Sequence, residues 1–259
     1  MSTPYNYDKL RDKHVLVFGG TSGLGYAVAK AALAASARVS FSTSSSDRIQ
    51  KTIQRLVAEF PGTESKIQGY VCDLSKETAE QEIESLFSKA GRVDHIVYSA
   101  ADHLPLMPLQ EITREKLVAA GQLRFFAPLL VAKVGARYLT AGPESSLTLT
   151  SGTIHERPTE NWTVLAGYMG GVVSMTRNLA VEMKPARVNV VSPGLVDTEM
   201  WDASFSQEEK QGFFNLLAGK HLTGRVARPE EVAEAYIYLM KDSNVTGRVI
   251  SSDSGSGIV

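Results

Sequence analysis

Short apolar runs alternate with longer stretches of helical spacing along almost the whole chain. The apolar runs predict strands at residues 14–18, 38–41, 67–72, 93–99, 146–150, 188–191 and 248–250. Helical spacing covers residues 26–35, 47–60, 76–90, 113–139, 162–183 and 230–240. Strands that alternate with helices form βαβ units and a parallel sheet. The sequence therefore predicts an α/β fold, with a doubly wound parallel sheet of about seven strands and helices on both faces, in one domain over residues 1–259.

Composition narrows the class of protein. The chain has 259 residues, 43% of them hydrophobic, and a formal net charge of −1. A balanced charge gives no global field to recruit nucleic acid or an anionic membrane. Residues 1–8 are polar, Cys72 is the single cysteine, and no uninterrupted apolar run reaches the ~18 residues of a membrane span. We therefore expect a cytoplasmic protein with no nucleic-acid or membrane partner, no disulfide and no bound metal.

A glycine-rich loop joins the first predicted strand to the first predicted helix. Glycine permits positive φ and lets the backbone approach a pyrophosphate closely, and the helix N-terminus offers free N–H groups to the anion. Tight strand–helix turns also use glycine, but this loop lies in the first βαβ unit, where dinucleotides bind. The predicted cofactor contacts in this loop are Gly19, Thr21, Ser22, Gly23, Leu24 and Gly25.

Further motifs follow in order over residues 12–257. They are Cys72-Asp73-Leu74, Ser99-Ala100-Ala101, the run 187–194, the run 224–233 and Asp253-Ser254-Gly255. With the glycine spacing, they make the chain resemble the short-chain dehydrogenase/reductase family, whose fold is Rossmann-like. The resemblance implies that Asp73 contacts adenine and that the Thr198 hydroxyl binds the nicotinamide carboxamide. The cofactor contacts it implies are Asp73, Leu74, Ala100, Ala101, Pro193, Gly194, Val196 and Thr198.

The end of the second strand bears on the choice of cofactor. An acid there would bind the ribose hydroxyls of NAD and repel a 2′-phosphate. The chain instead has Ser42, Thr43 and Ser44, and Arg48 follows within reach to add positive charge. These residues favour NADP(H) as the cofactor. The alternative is that the serines only cap the helix that follows.

The family's catalytic tetrad of Asn, Ser, Tyr and Lys is largely replaced. Leu165 stands at the Tyr position, Met169 at the Lys position and Gly121 at the Asn position. Ser151 comes nearest to the Ser, although counting back from Leu165 places Gly152 there. Since Leu165 and Met169 are four residues apart, they share one apolar helix face.

A site without this acid has three chemical options. The substrate needs no proton, another residue supplies the proton, or no redox chemistry takes place. Hydride addition to a ketone leaves an alkoxide, whereas addition to an iminium leaves a neutral amine. A cationic iminium would also be repelled by the family's Lys, so losing the Tyr and the Lys together suits such a substrate.

A narrower resemblance concerns the segments 124–128, 151–162 and 167–172. They look like those of divergent fungal short-chain reductases of prenylated indole alkaloid pathways, which also lack the Tyr and the Lys. The resemblance implies reduction of an iminium-type intermediate with NADPH and control of a Diels–Alder closure. Those relatives carry an acid three residues before the Trp, where this chain has Thr159. Glu160 and Glu156 are the candidate replacements.

The candidate catalytic residues are Arg124, Ser151 and Glu156. Arg124 is predicted one helical turn from the Asn position, where it could orient a carbonyl or stabilise negative charge. The alternatives for Arg124 are a surface position or a salt bridge within an oligomer. A substrate lid is expected over residues 199–224. The predicted substrate-pocket residues are Asp102, His103, His155, Trp162, Leu165, Met169 and Trp201.

Three functions are compatible with these residues. The leading hypothesis is an NADP(H)-dependent reductase of a bulky specialised metabolite that needs no Tyr-Lys acid catalysis. The second is a non-redox cyclase or isomerase, for example of Diels–Alder type, that keeps NADP(H) as a structural or orienting element. The third is a catalytically silent dinucleotide-binding subunit. The family resemblance also implies a homo-oligomer, a dimer or a tetramer, that binds a small-molecule substrate.

Overall fold

The computed structural model describes residues 5–203 and 205–259. Seven strands and eight α-helices of this part of the chain alternate along the sequence. The strands are β1 (His14–Phe18), β2 (Arg38–Thr43), β3 (Ile67–Val71), β4 (His95–Tyr98), β5 (Ser146–Thr150), β6 (Arg187–Pro193) and β7 (Val249–Ser252). The helices are α1 (Gly23–Ala34), α2 (Ser46–Glu59), α3 (Ala79–Ala90), α4 (Arg114–Gly121), α5 (Ala127–Gly135), α6 (Thr163–Glu182), α7 (Gln207–Ala218) and α8 (Pro229–Lys241).

All seven strands form one parallel sheet in the order β3-β2-β1-β4-β5-β6-β7. The chain order reverses between β1 and β4, which makes that boundary the topological switch point. In open α/β sheets, ligands bind outside the carboxyl ends of the strands at such a point. The predicted doubly wound α/β fold is therefore confirmed.

Two apolar cores cover the two faces of the sheet. One core joins α1 and α8 to the sheet, and the other contains residues of α3, α5 and α6. Strand β1 is buried at every position, as expected for a central strand that is covered on both faces. The apolar strands and the apolar faces of the helices thus form a core on each side of the sheet.

The prediction of one continuous α-helix over 113–139 is wrong. A π-helical turn, Gln122–Phe126, separates α4 from α5, and α5 ends at Gly135. Pro128 has no N–H to donate to the carbonyl of Arg124, so a regular α-helical bond is missing at this point. The continuous stretch Arg114–Gly135 is long and apolar enough to cross a membrane, but 44% of its apolar window is buried within the fold. Core helices pass the same test, so this stretch does not by itself indicate a membrane.

Candidate functional site

The glycine loop after β1 approaches the loop after β4 closely. Gly19 has φ +83°, and a Cβ on it would lie 2.6 Å from the Cα of Ala100. A Cβ on Gly25 would lie 2.2 Å from the carbonyl oxygen of Gly19. Any larger residue would push these segments apart, so glycine is required at both positions. The structure thus brings Gly19, Gly25 and Ala100 together at the switch point of the sheet, as a dinucleotide cradle needs.

The N-terminus of α1 provides the anion site of this cradle. Ser22 is the N-cap residue, its side chain makes no capping bond, and the first turn of α1 contains no acid. The N–H of Gly23 instead donates to Oε2 of Glu199, 2.9 Å away. Carboxylates and phosphates are both favoured at a helix N-terminus. The first turn therefore suits a pyrophosphate, and Glu199 is a residue of this site that the sequence interpretation missed.

The four residues predicted to recognise a 2′-phosphate lie around the end of β2 and differ in their exposure. Ser42 and Thr43 are buried in the strand, whereas Ser44 and Arg48 are exposed. Nη2 of Arg48 lies 3.4 Å from Oγ of Ser44. The exposed pair is therefore the part of this segment that is free to meet a phosphate. Thr43 has a local role, since its hydroxyl accepts the N–H of Ser45.

The segment after β3 holds the predicted adenine contacts. Both the N–H and the hydroxyl of Ser75 donate to Oδ1 of Asp73, and these bonds lower the pKa of the Asp73 carboxyl. Leu74 is buried, and its carbonyl accepts a bond from Gln122. Asp73 is thus held as a fixed, ionised acceptor at the cofactor end of β3.

Strand β6 ends at Pro193, and the chain continues through Gly194 into the predicted lid. Gly194 packs against Asp253, where a Cβ would lie 2.8 Å from the Asp253 Cα. The carbonyl of Val196 accepts a bond from Nε1 of Trp201 at 2.9 Å. The Thr198 methyl group lies 3.3 Å from the Cβ position of Gly23. These contacts bring the segment of the predicted nicotinamide contacts against the glycine loop.

Trp201 belongs to an aromatic cluster within the segment predicted to form the lid. Its ring lies 5.7 Å from that of Phe213 and 6.3 Å from that of Phe214, measured between centroids. The sequence placed Trp201 in the substrate pocket, but the structure packs its ring against the lid's own aromatic residues. Of these rings, Phe214 is the one that is buried.

Lys210 of α7 anchors the segment that precedes it. Its Nζ lies 2.9 Å from Oδ1 of Asp197 and 2.8 Å from Oδ1 of Asp202, and it donates to the carbonyl of Thr198 at 3.3 Å. Burial alone would lower the pKa of Lys210, but the two carboxylates outweigh it and the pKa is raised. The sequence interpretation did not single out this lysine, which fixes Thr198 relative to the lid.

The two replaced catalytic positions are part of the core. Leu165 and Met169 are 3% and 6% exposed and belong to the same apolar cluster, with Trp162 packed against it. The hydroxyl of Ser151 donates to the carbonyl of Met169 at 3.0 Å. The Ser151 hydroxyl is thus engaged with the helix backbone, and its catalytic role stays a prediction. A Cβ at Gly152 would meet only the carbonyl of Pro193, at 3.9 Å, so that position is open.

Gly121, at the position of the family's Asn, is covered by an aromatic ring. A Cβ on Gly121 would lie 2.6 Å from both Cζ and the hydroxyl oxygen of Tyr168. The Tyr168 hydroxyl donates to the carbonyl of Leu117 at 2.7 Å, and burial raises the pKa of this phenol. The expectation that Tyr168 has a packing role fits these contacts. Its phenol does not take the place of the missing acid.

Arg124 is buried in the π-helical turn, which excludes the surface alternative for this residue. Its Nη2 donates to the carbonyls of Asp102 and His103 and lies 3.1 Å from Oδ1 of Asp102. Nε of Arg124 is buried without a hydrogen-bond partner among the described residues. Burial lowers the pKa of the guanidinium, although Asp102 opposes this. The side chains of Asp102 and His103 are exposed, so Arg124 holds the loop after β4 mainly through the backbone carbonyls of that loop.

The loop after β5 carries His155 and Glu156. Nδ1 of His155 lies 2.7 Å from the carbonyl oxygen of Gly152, and Nε2 lies 3.2 Å from Oε1 of Glu156. The same loop leads to Trp162, whose backbone N–H donates to the carbonyl of Thr159. Within residues 5–203 and 205–259, no three His, Cys, Asp or Glu side chains are placed to hold a metal ion.

The fold and the glycine cradle agree with the comparisons with known proteins. A family model described as an SDR-like Rossmann domain matches residues 6–259. The chain therefore belongs to the short-chain dehydrogenase/reductase family, a family of oxidoreductases.

Its relatives include fungal members of that family. The chain is 40% identical over 254 residues to the short-chain dehydrogenase/reductase malC of Malbranchea aurantiaca, covering 96% of each chain. It is 37% identical over 257 residues to the short-chain dehydrogenase/reductase fsr5 of Gibberella fujikuroi, again covering 96% of each. The solved structure of the MalC reductase/Diels–Alderase superposes with a TM-score of 0.90 at 39% identity, over 96% of this chain and 98% of that one. A small-chain dehydrogenase in complex with NADPH superposes with a TM-score of 0.79 at 25% identity, over 96% and 100%.

Proposed function

We propose that this protein is an NADP(H)-dependent reductase of a bulky specialised metabolite, acting on a carbon–nitrogen double bond rather than on a ketone. The observation that carries the proposal is the combination of an intact glycine cradle with buried Leu165 and Met169 at the Tyr and Lys positions. The cofactor site is kept, whereas the phenol and the ammonium that serve carbonyl reduction are absent.

NADP(H) is held by four parts of the chain. The glycine loop and the N-terminus of α1 bind the pyrophosphate, Asp73 binds the adenine, and Thr198 binds the carboxamide. Ser44 and Arg48, exposed and 3.4 Å apart, bind the 2′-phosphate. Relatedness to an NADPH-bound dehydrogenase supports this choice of cofactor. When bound, the cofactor supplies hydride.

The apolar face suits a cationic electrophile. Hydride addition to an iminium carbon gives a neutral amine, so no alkoxide forms and no phenol is needed. An ammonium at position 169 would repel such a cation, by roughly 4 kcal/mol at 4 Å in a protein-like dielectric. Met169 removes that repulsion, and Leu165 and Trp162 provide apolar contact for the skeleton around the reacting centre.

The remaining candidate residues shape the site. Arg124 positions the loop after β4, so that Asp102 and His103 border the substrate. Glu156 takes the place of the acid that similar fungal reductases carry at the position of Thr159, and it lies near the cationic centre. Ser151 acts by bonding to the helix at Met169 rather than by touching the substrate. Residues 199–224 form the lid of a single domain over residues 1–259, and that lid includes Trp201.

A Diels–Alder-type cyclase is the second candidate. Similarity to the MalC reductase/Diels–Alderase over 96% of the chain favours it. The cyclisation would follow or replace reduction in the same apolar site. The protein would act in the cytoplasm as a homo-oligomer, either a dimer or a tetramer.

The test follows NADPH absorbance with an iminium-bearing substrate while the product is identified by mass spectrometry. Stoichiometric oxidation of NADPH with formation of the reduced amine is the expected result. A cyclised product without oxidation would replace the reductase by the cyclase. Tight NADPH binding without turnover of any iminium would indicate a silent dinucleotide-binding subunit instead.

A further inference from the structure

A polar pair stands beside the apolar face of α6. His155 is the partly buried member, with its side chain 11% exposed, and Glu156 is half exposed at 47%. The two side chains meet at 3.2 Å, between Nε2 and Oε1. The other ring nitrogen of His155, Nδ1, lies 2.7 Å from the carbonyl oxygen of Gly152.

The direction of these two bonds fixes where protons lie. A carbonyl oxygen can only accept, so Nδ1 of His155 must carry a proton and donate it to Gly152. Nε2 then faces a carboxylate oxygen, and two lone pairs would repel each other at 3.2 Å. A proton on Nε2 would be donated to Oε1, so the pair is placed to hold a proton between His155 and Glu156.

This proton lies next to the replaced catalytic positions. Gly152, which accepts the His155 bond, is the residue that counting back from Leu165 places at the family's Ser, and its Cβ direction is open. The Cβ of His155 lies 3.8 Å from the Cβ position of Gly170, the residue that follows Met169. The pair thus lies beside the segment of α6 that contains Met169 and Gly170.

Other polar groups around this face are already engaged. The Ser151 hydroxyl donates to Met169 and the Tyr168 hydroxyl donates to Leu117. Arg124 is a guanidinium, which does not give up its proton in proteins. The His155–Glu156 pair is therefore the candidate proton donor that we consider at this face.

We propose that His155 donates this proton to the nitrogen of a neutral imine substrate, which converts it into the iminium that accepts hydride. The inference rests on the proposed function and names its substrate class, a neutral imine rather than a preformed iminium. The N–H bond of His155 Nε2 breaks and a new N–H bond forms on the imine nitrogen. Hydride then adds to the imine carbon, giving a secondary amine and NADP⁺.

Glu156 has two parts in this step. Its carboxylate holds the proton on Nε2 before transfer and faces the newly formed cation after it. Because half of the Glu156 side chain is exposed, a proton from solvent can restore the pair after each turnover. Arg157 fixes the loop by donating from Nε to the carbonyl of Ser256 at 3.0 Å.

Two substrates separate proton transfer from hydride transfer. A cyclic imine such as a 3,4-dihydroisoquinoline needs a proton, whereas its N-methyl iminium salt is already cationic and needs none. For His155→Gln we expect the rate on the imine to fall by about 10²-fold or more. The rate on the N-methyl iminium and the Kd for NADPH should stay close to those of the unmodified protein. Glu156→Gln should also slow reduction of the imine, with exposed Glu77→Gln as the matched control.

Equal losses on both substrates would mean that His155 only supports the fold, and an unchanged rate on the imine would remove it as proton donor. Either result overturns the inference. Activity of the unmodified protein on the N-methyl iminium alone would also overturn it, while leaving the reductase function intact. Inactivity on both substrates would instead count against the proposed function.

A spectroscopic measurement tests the proton itself, independently of turnover. In ¹⁵N–¹H spectra of the unmodified protein, both ring nitrogens of His155 should show the shifts of protonated nitrogens. In Glu156→Gln, Nε2 should show the shift of an unprotonated nitrogen. An unprotonated Nε2 in the unmodified protein would contradict the inference even if imines are reduced.

Discussion

The ring of Tyr168 fills the space that a side chain at Gly121 would need, since a Cβ there would lie 2.6 Å from the phenol. The predicted Asn position is therefore closed by packing from α6. A residue of α6 that packs into α4 leaves no room for the Asn, and its hydroxyl is used on the carbonyl of Leu117.

Gly121→Asn is expected to destabilise the fold because the new side chain overlaps the Tyr168 ring. Overpacking of this kind costs about 1–3 kcal/mol in free energy of unfolding. Adding Tyr168→Ala should recover part of the loss in the double variant. Gly152→Ser is the control, since its Cβ meets only one atom, at 3.9 Å. Urea denaturation measures all four proteins, and equal stability of Gly121→Asn and the parent would contradict the steric account.

Glu199→Gln is expected to tighten NADPH binding. The Glu199 carboxylate occupies the N–H of Gly23 and adds negative charge where the pyrophosphate has to sit. A charge at a helix N-terminus is worth about 0.3–1 kcal/mol, so Kd should fall by roughly two- to fivefold. Fluorescence titration with NADPH measures Kd, with Glu208→Gln on the exposed face of α7 as control. A higher Kd would mean that Glu199 supports the cradle instead of competing for it.

The stability of the protein is expected to fall as the pH drops below about 6.5, the ordinary pKa of histidine. Burial lowers the pKa of His95 to about 3, with Arg187 adding to the shift, and burial also lowers the pKa of His14. Below about pH 6.5 the unfolded chain binds protons that the folded chain excludes. The free energy of unfolding should therefore fall by up to about 1.4 kcal/mol per pH unit for each such histidine until its folded pKa is reached.

The measurement is the pH dependence of urea unfolding. His95→Gln should flatten the slope on the acid side, whereas His221→Gln in the lid serves as control. His95 is tied to Oγ of Ser146 at 2.9 Å, so Gln is chosen to keep a polar partner there. A slope identical in His95→Gln and the parent would show that this histidine does not control acid stability.

Restoring the pair with Leu165→Tyr and Met169→Lys should not raise activity on the native substrate. Both positions are nearly fully buried, and a lysine at 169 would place an ammonium in an apolar cluster. We expect a loss of about 1–3 kcal/mol in stability. The readouts are thermal unfolding and NADPH oxidation, with the single variant Leu165→Met as a packing control. Higher activity of the double variant on the imine would contradict the proposal.

The sequence predicted the sheet and the cofactor loop well because both depend on local patterns. Glycine spacing and short apolar strands show directly in the sequence, and the cradle of Gly19, Gly25 and Ala100 followed from them. The π-helical turn was not predicted, because helical spacing continues through it and only Pro128 hints at a break. Contacts between distant segments, such as Glu199 with Gly23, depend on how the lid folds back and leave no periodic signal.

The site residues likewise include some that local patterns predicted and some that depend on contacts with distant segments. That Leu165 and Met169 share an apolar face followed from their spacing of four. The hydroxyl of Ser151 could not be assigned from sequence, because its partner is a backbone carbonyl of α6 that any residue could supply. The burial of Arg124 likewise depends on the loop after β4, whose path the sequence does not fix.

The most direct test of the account is a single turnover with NADPH that carries deuterium at the transferable position. The protein is mixed with a cyclic imine or its N-methyl iminium, and the amine is analysed by mass spectrometry and NMR. The account predicts one deuterium per molecule of amine, located on the former C=N carbon, with one NADPH consumed per product. An amine without deuterium, a cyclised product with NADPH unchanged, or deuterium transfer only to ketones would contradict it.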